Sequence, residues 1–151
     1  MNLQKCGVGF LLGIFCCLSY AKCTTQIAHN IIDKWQQAYN AGDVTAISDF
    51  YAKDAILIGV YNQRPLVTSK QRLNYFKNIF GKKSYKVRFV KNTFHHYKLD
   101  NSVVINGEDI ISYRKAGKKI QRPVRFTMVF KDTLKGCKLV VQHASLISPI
   151  K

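Results

Sequence analysis

VVINGEDIISYRKAGKKIQRPVRFTMVF, residues 103–130, decides how this chain folds. In its second half Phe126, Met128 and Phe130 fall on one side of a two-residue period, while Arg125, Thr127 and Val129 fall on the other. That period belongs to a pleated strand, and Ala116-Gly117 interrupts the stretch as a turn would. Two long strands are predicted, Val103–Lys115 and Ile120–Phe130. The pattern continues both ways. Upstream from Ser84, Tyr85, Val87, Phe89, Thr93, Tyr97 and Leu99 alternate with Lys86, Arg88 and Lys98; downstream Lys138–Ile147 reads as a last strand. Turn signals at Asp100-Asn101 and from Asp132 to Gly136 separate the four.

Before residue 84 the period is helical. Thr24 or Thr25 can cap a helix carrying Ile27, Ile31, Trp35 and Ala38, which stops at Asn40-Ala-Gly42. Asp43 can cap a shorter one with Val44, Ile47 and Phe50, followed by an apolar strand from Ala55 to Tyr61. Ser69 can cap a third in which Leu73, Phe76 and Phe80 share a face, ending at Gly81. Helices first and a meander last is the order of an α+β fold, with helices packed on one face of a bent antiparallel sheet. Neither side of the strand over Val124–Phe130 is simply polar, so the face without helices would expose an apolar patch unless a second copy of the chain covers it, most simply as a two-fold dimer.

The N-terminus reads as an address. Lys5 gives a positive start, Val8 to Leu18 an apolar run, and Ser19-Tyr-Ala21 an A-x-A-like end, which predicts a signal peptide over residues 1–21 cleaved after Ala21. The run is short of the roughly 20 residues that span a bilayer. One domain, residues 22–151, then remains, exported to the periplasm or beyond. It keeps 23 of the 24 basic residues against 8 acids, a balance of +15, and two of five cysteines, Cys23 and Cys137. In an oxidising compartment those two can pair or stay free thiols. The charge suits anionic surfaces, and a basic adaptor for an anionic envelope is one reading of it. The basic clusters Lys82-Lys83-Lys86-Arg88 and Arg114-Lys115-Lys118-Lys119-Arg122 lack the aromatic interleaving of a single-strand nucleic-acid binder.

Trp35-Gln-Gln-Ala-Tyr-Asn-Ala-Gly-Asp43, Phe50-Tyr-Ala-Lys-Asp-Ala-Ile-Leu-Ile58, Tyr75-Phe76, Arg125-Phe-Thr-Met-Val-Phe130 and Val141-Gln-His-Ala-Ser145 resemble the nuclear transport factor 2-like superfamily. Within it they are most similar to bacterial relatives of the calcium/calmodulin-dependent protein kinase II association domain, a SnoaL-like group. Arg125-Phe126-Thr127 keeps that family's arginine-aromatic-threonine strand motif, whereas Gln142-His143-Ala144-Ser145 keeps one histidine and one serine of its histidine-rich last strand. The resemblance implies a cone-shaped fold, three N-terminal helices against a strongly curved sheet that enclose a pocket, and assembly through the sheets. It implies no kinase, since the chain has no nucleotide-binding glycine loop.

Alternation groups Arg125 with Thr127, and Val141 with His143 and Ser145. If those faces line the cone, Arg125 enters it with His143 and needs an anion, because an unpaired buried charge is costly. One reading gives it an acidic or carbonyl ligand oriented by His143, Ser145 and Tyr113 between walls of Trp35 and Tyr75. The other gives it Asp109 in an internal salt bridge beneath a core histidine, with Trp35 and Tyr75 as plain core. The expected function is an exported, non-catalytic, self-associating domain that binds a small ligand around Arg125 and His143. The alternative is an isomerase, cyclase or dehydratase of the ketosteroid-isomerase type in which Asp109 and His143 move a proton beside a carbonyl. Neither reading calls for a cofactor or a metal, and the adjacent His95 and His96 point to opposite faces of a strand.

Overall fold

A computed structural model of the chain describes residues 22–82 and 85–148. The predicted signal peptide lies outside these residues. The elements run α1 (Thr25–Ala41), α2 (Val44–Asp49), β1 (Tyr51–Ile58), α3 (Ser69–Lys82), β2 (Lys86–Leu99), β3 (Ser102–Lys115), β4 (Lys118–Thr133) and β5 (Gly136–Leu146). Local chemistry sets the helix ends. The Thr24 hydroxyl accepts from the Ile27 amide at 3.1 Å, Gly42 closes α1 with φ 74°, and Asp43 caps α2 by accepting from the Ala46 amide at 2.9 Å.

One sheet of order β1-β5-β4-β3-β2 carries the fold, with the four long strands antiparallel and β1 added in parallel beside β5. Val103, Ile105, Val124, Phe126, Met128, Phe130 and Leu139 turn to the helices and are buried with Ile32, Trp35, Ile47 and Phe76. At the β2 edge, side chains of α1 replace a missing strand. Asn40 donates to the Val87 carbonyl at 2.9 Å and accepts from its amide at 2.8 Å, while Gln36 accepts from the Phe89 amide at 2.8 Å. Over Val87–Phe89 the edge covered in this way offers no template for another chain.

Two irregularities were not predicted from sequence. β1 begins at Tyr51, earlier than the expected Ala55, because its register with β5 shifts between Tyr51 and Ile56 and carries Lys53 and Asp54 outward. Arg72 of α3, buried, satisfies that bulge by donating to the carbonyls of Ala52 at 2.8 Å, Lys53 at 3.0 Å and Ala55. In β2 the register shifts between Val90 and His95, where five steps on β2 match two on β3. An odd surplus exchanges the two faces of a strand. Tyr97 and Leu99, expected on the same side as Val87 and Phe89, therefore lie on the outer face opposite Val104 and Ser102, 67% and 49% exposed.

The N-terminus is tied down covalently. Cys23 and Cys137 form a disulfide, with Cα atoms 4.9 Å apart and a separation of 114 positions in sequence. Asp132 accepts a hydrogen bond from the Cys23 amide, so the chain just before α1 is fixed to the β4–β5 hairpin.

Candidate functional site

The inner face of the sheet and the helices enclose a cone, and the residues that meet inside it come from every layer. Trp35 and Tyr39, one turn apart on α1, stack at 5.1 Å; Phe76 meets the Trp35 ring edge-on at 6.3 Å. The Trp35 indole donates to the Tyr51 hydroxyl at 3.0 Å, and that hydroxyl donates to Gln142 Oε1. Gln142, which sequence reasoning missed, is thus satisfied within the core. Its neighbour His143 lies on the opposite side of β5, because adjacent strand residues cannot share a face.

Asp109 is different. Antiparallel register places it between Phe89 of β2 and Val124 of β4, both buried, so its carboxyl turns inward and is 5% exposed. Among the described residues its Oδ1 is the one buried side-chain polar atom without a hydrogen-bond partner. Burial pushes its pKa from 3.8 up to about 7. Beside it is a cavity of about 40 Å³ lined among others by Trp35, Tyr39, Tyr75, Ile111 and Gln142. Burial also raises the Tyr39 and Tyr75 hydroxyls well above the usual phenol range, so both stay protonated.

Gly59 makes room for one of these walls. A Cβ there would come within 2.1 Å of the Tyr75 hydroxyl. Gly59→Ala is expected to push the Tyr75 phenol out of place and to lower stability by about 1–3 kcal/mol, the usual cost of overpacking, measurable by urea unfolding. An unchanged midpoint would show that Tyr75 is free to relocate.

The predicted site residues divide between two faces. Trp35 and Tyr75 lie in the cone with Asp109, and Tyr113 stands near its mouth with its ring 5.0 Å from Tyr85. Arg125, His143 and Ser145 come together, but on the other side of the sheet. They share an open groove of about 560 Å³ with His95, Glu108 and Thr127, where Arg125 Nε donates to the Ser145 hydroxyl at 3.0 Å. The reason is register. Val124 is the residue opposite Asp109, so Arg125 lies opposite Glu108 and faces away. The Arg125–Asp109 salt bridge of the second reading does not form, since Arg125 and Asp109 face opposite sides of the sheet; Arg125 and His143 do not enter the cone, and Asp109 and His143 cannot act as one pair.

The outer face also carries an apolar row. Tyr97, Val104, Val129, Val141 and Ile56 succeed one another across all five strands, with Tyr97 67% and Ile56 37% exposed. The basic residues Arg114, Lys115, Lys118 and Lys119 are exposed around the β3–β4 turn.

Solved structures with this architecture are numerous. A protein from Xanthomonas campestris, named for the calcium/calmodulin-dependent protein kinase II association domain, has a TM-score of 0.75 at 23% identity, over 85% of this chain and 91% of its own. A Streptomyces avermitilis protein named as a dehydratase of the nuclear transport factor 2-like family has a TM-score of 0.72 at 15% identity, over 82% of this chain and 97% of its own. A Caulobacter vibrioides protein with a cystatin-like fold has a TM-score of 0.71 at 14% identity, over 83% and 90%. At such identities the likeness is one of fold. No curated protein sequence is significantly similar to the chain. The model of the SnoaL-like domain matches residues 28–149, and the chain belongs to that family.

Proposed function

We propose that the chain binds a small ligand in the cone and moves a proton on it through Asp109. The observation that carries this reading is the buried carboxyl with an unpartnered oxygen beside a cavity walled by aromatic rings. A carboxyl with a pKa near 7 is shared between its acid and base forms at neutral pH, which suits it to take a proton from carbon beside a carbonyl and return it. Protonated Tyr39 and Tyr75 are the donors available to the oxygen on which charge then develops. The chemistry is that of an isomerase or dehydratase, with Asp109 acting without His143. In deuterated buffer the protein is expected to catalyse hydrogen exchange at the methyl group of acetophenone, and Asp109→Asn to slow it by about 100-fold or more. Exchange at the same rate in the variant would sink this reading.

The outer face supports a second role, self-association with a non-catalytic ligand groove around Arg125, His143 and Ser145. Its support is the apolar row beside that groove, which a second copy would cover. Light scattering at micromolar concentration is expected to give a dimer or larger assembly, and Val129→Glu a monomer. A monomeric parent chain would end this role.

A further inference from the structure

We propose that the ligand of the cone carries an acid group, that Arg122 at the mouth anchors that group, and that Tyr61 and Tyr85 hold the ligand's planar apolar body between it and Asp109. The inference rests on the Asp109 reading and adds the class of substrate.

Size comes first. About 40 Å³ beside Asp109 admits two or three waters or a head the size of an acetyl group, so the body of any larger ligand must lie outward from it. What lies outward is fixed by the strands. Val60, Val87 and Ile111 line the cavity, and Tyr61, Tyr85 and Tyr113 stand one or two residues further along the same segments. Their rings meet, Tyr61 with Tyr85 at 5.6 Å and Tyr85 with Tyr113 at 5.0 Å, and Tyr61 is 45% exposed. Aromatic faces at a mouth suit a flat ring.

Arg122 completes the arrangement. It pairs with Ile111 and precedes Val124 by two residues, which puts it on the inner face one step further out than Asp109. Its charge is felt at the Tyr61 hydroxyl, where it opposes the upward push of burial. Among the described residues no carboxylate pairs with it. Nearby cations are directed elsewhere, Arg114 to the Gly117 carbonyl at 3.3 Å and Lys86 to the Asn40 carbonyl. Two residues of strand separate Arg122 from the level of Asp109, roughly 7 Å. The fitting ligand is therefore a planar carbonyl compound whose acid group lies about that far from the carbon that exchanges its proton.

4-Acetylbenzoate has this shape, and 4-acetylbenzamide is its neutral counterpart. Calorimetry on the full domain is expected to give the acid at least tenfold tighter binding than the amide. Arg122→Gln should erase that preference without weakening the amide, and Arg122→Lys should restore part of it. Asp109→Asn should keep the preference and lose exchange at the methyl group. Equal binding of acid and amide, or a preference that survives Arg122→Gln, overturns the anchor; methyl exchange that persists in either case leaves the Asp109 reading standing. Binding of neither compound overturns the anchor as well, and the acetophenone exchange then decides the Asp109 reading separately.

Discussion

Reduction of the Cys23–Cys137 disulfide is expected to lower the stability of the domain by about 5 kcal/mol. The bond closes a loop of 114 residues, nearly the whole described chain. In the chain-entropy account a loop of that size removes more freedom from the unfolded state than a short one, and about 5 kcal/mol follows from its length. Domains of this size are stable by only about 5–15 kcal/mol, so the reduced form would stand close to its unfolding midpoint. Losing the bond also frees Cys23 from its place beside Asp132, where its amide now donates. Urea unfolding with and without reductant, repeated on Cys23→Ser/Cys137→Ser, measures the effect. Coincident curves would mean that the bridge contributes nothing to folding.

Asp109→Asn is expected to make the protein more stable at alkaline pH while making it inactive. The folded pKa of about 7 lies above the ordinary 3.8, so between those values the folded chain holds a proton that the unfolded chain has released. Stability of the parent therefore falls as pH rises through that window and levels off above about 7. The full cost is on the order of 4 kcal/mol, undiminished by solvent because the carboxyl is 5% exposed. An amide of the same shape cannot ionise. The variant should thus gain on the parent between pH 4 and pH 8, by an amount approaching that figure, in denaturant unfolding at both pH values. Parallel pH profiles for the two proteins would refute a titrating Asp109. A stabilising loss of function is the expected mark of a site kept strained for chemistry.

How far the sequence disclosed this arrangement depends on the range of the interaction. Thr24, Asp43 and Gly42 act on residues three or four positions away, and the helix ends were legible from them. The period of two was equally local, so all four long strands could be placed. Which residues face each other was not local. Alternation alone grouped Arg125 with Thr127 correctly but could not say that Glu108 rather than Asp109 would stand opposite Arg125. That single step of register moved Arg125 and His143 out of the cone and left Asp109 inside by itself. The bulge that turns Tyr97 outward was hidden for the same reason, since the surplus appears only when β2 is laid against β3. Gly59 gave no signal, because its role is set by the Tyr75 hydroxyl from a helix sixteen positions on.

The shift within β2 has a consequence for how this chain can change over time. The first half of that strand seals the cone beneath Gln36 and Asn40, while the second half presents Tyr97 and Leu99 to the outside. What divides the two duties is a count of residues between Val90 and His95, held in place by Thr93, whose hydroxyl donates to the Val90 carbonyl at 2.7 Å and accepts from the Glu108 amide at 2.9 Å. Exchanges at the exposed Lys91 and Asn92 leave the division intact, whereas Phe94 packs on Phe89 at 6.0 Å and on Phe126 at 5.4 Å. Losing or gaining one residue would turn the second half inside out, bringing Lys98 and His96 to the outer surface and sending Tyr97 and Leu99 inward. The segment is intolerant to length variation and tolerant to substitution at its exposed positions, and lineages of this chain should drift at Lys91 and Asn92 while conserving the spacing together with Thr93 and Phe94.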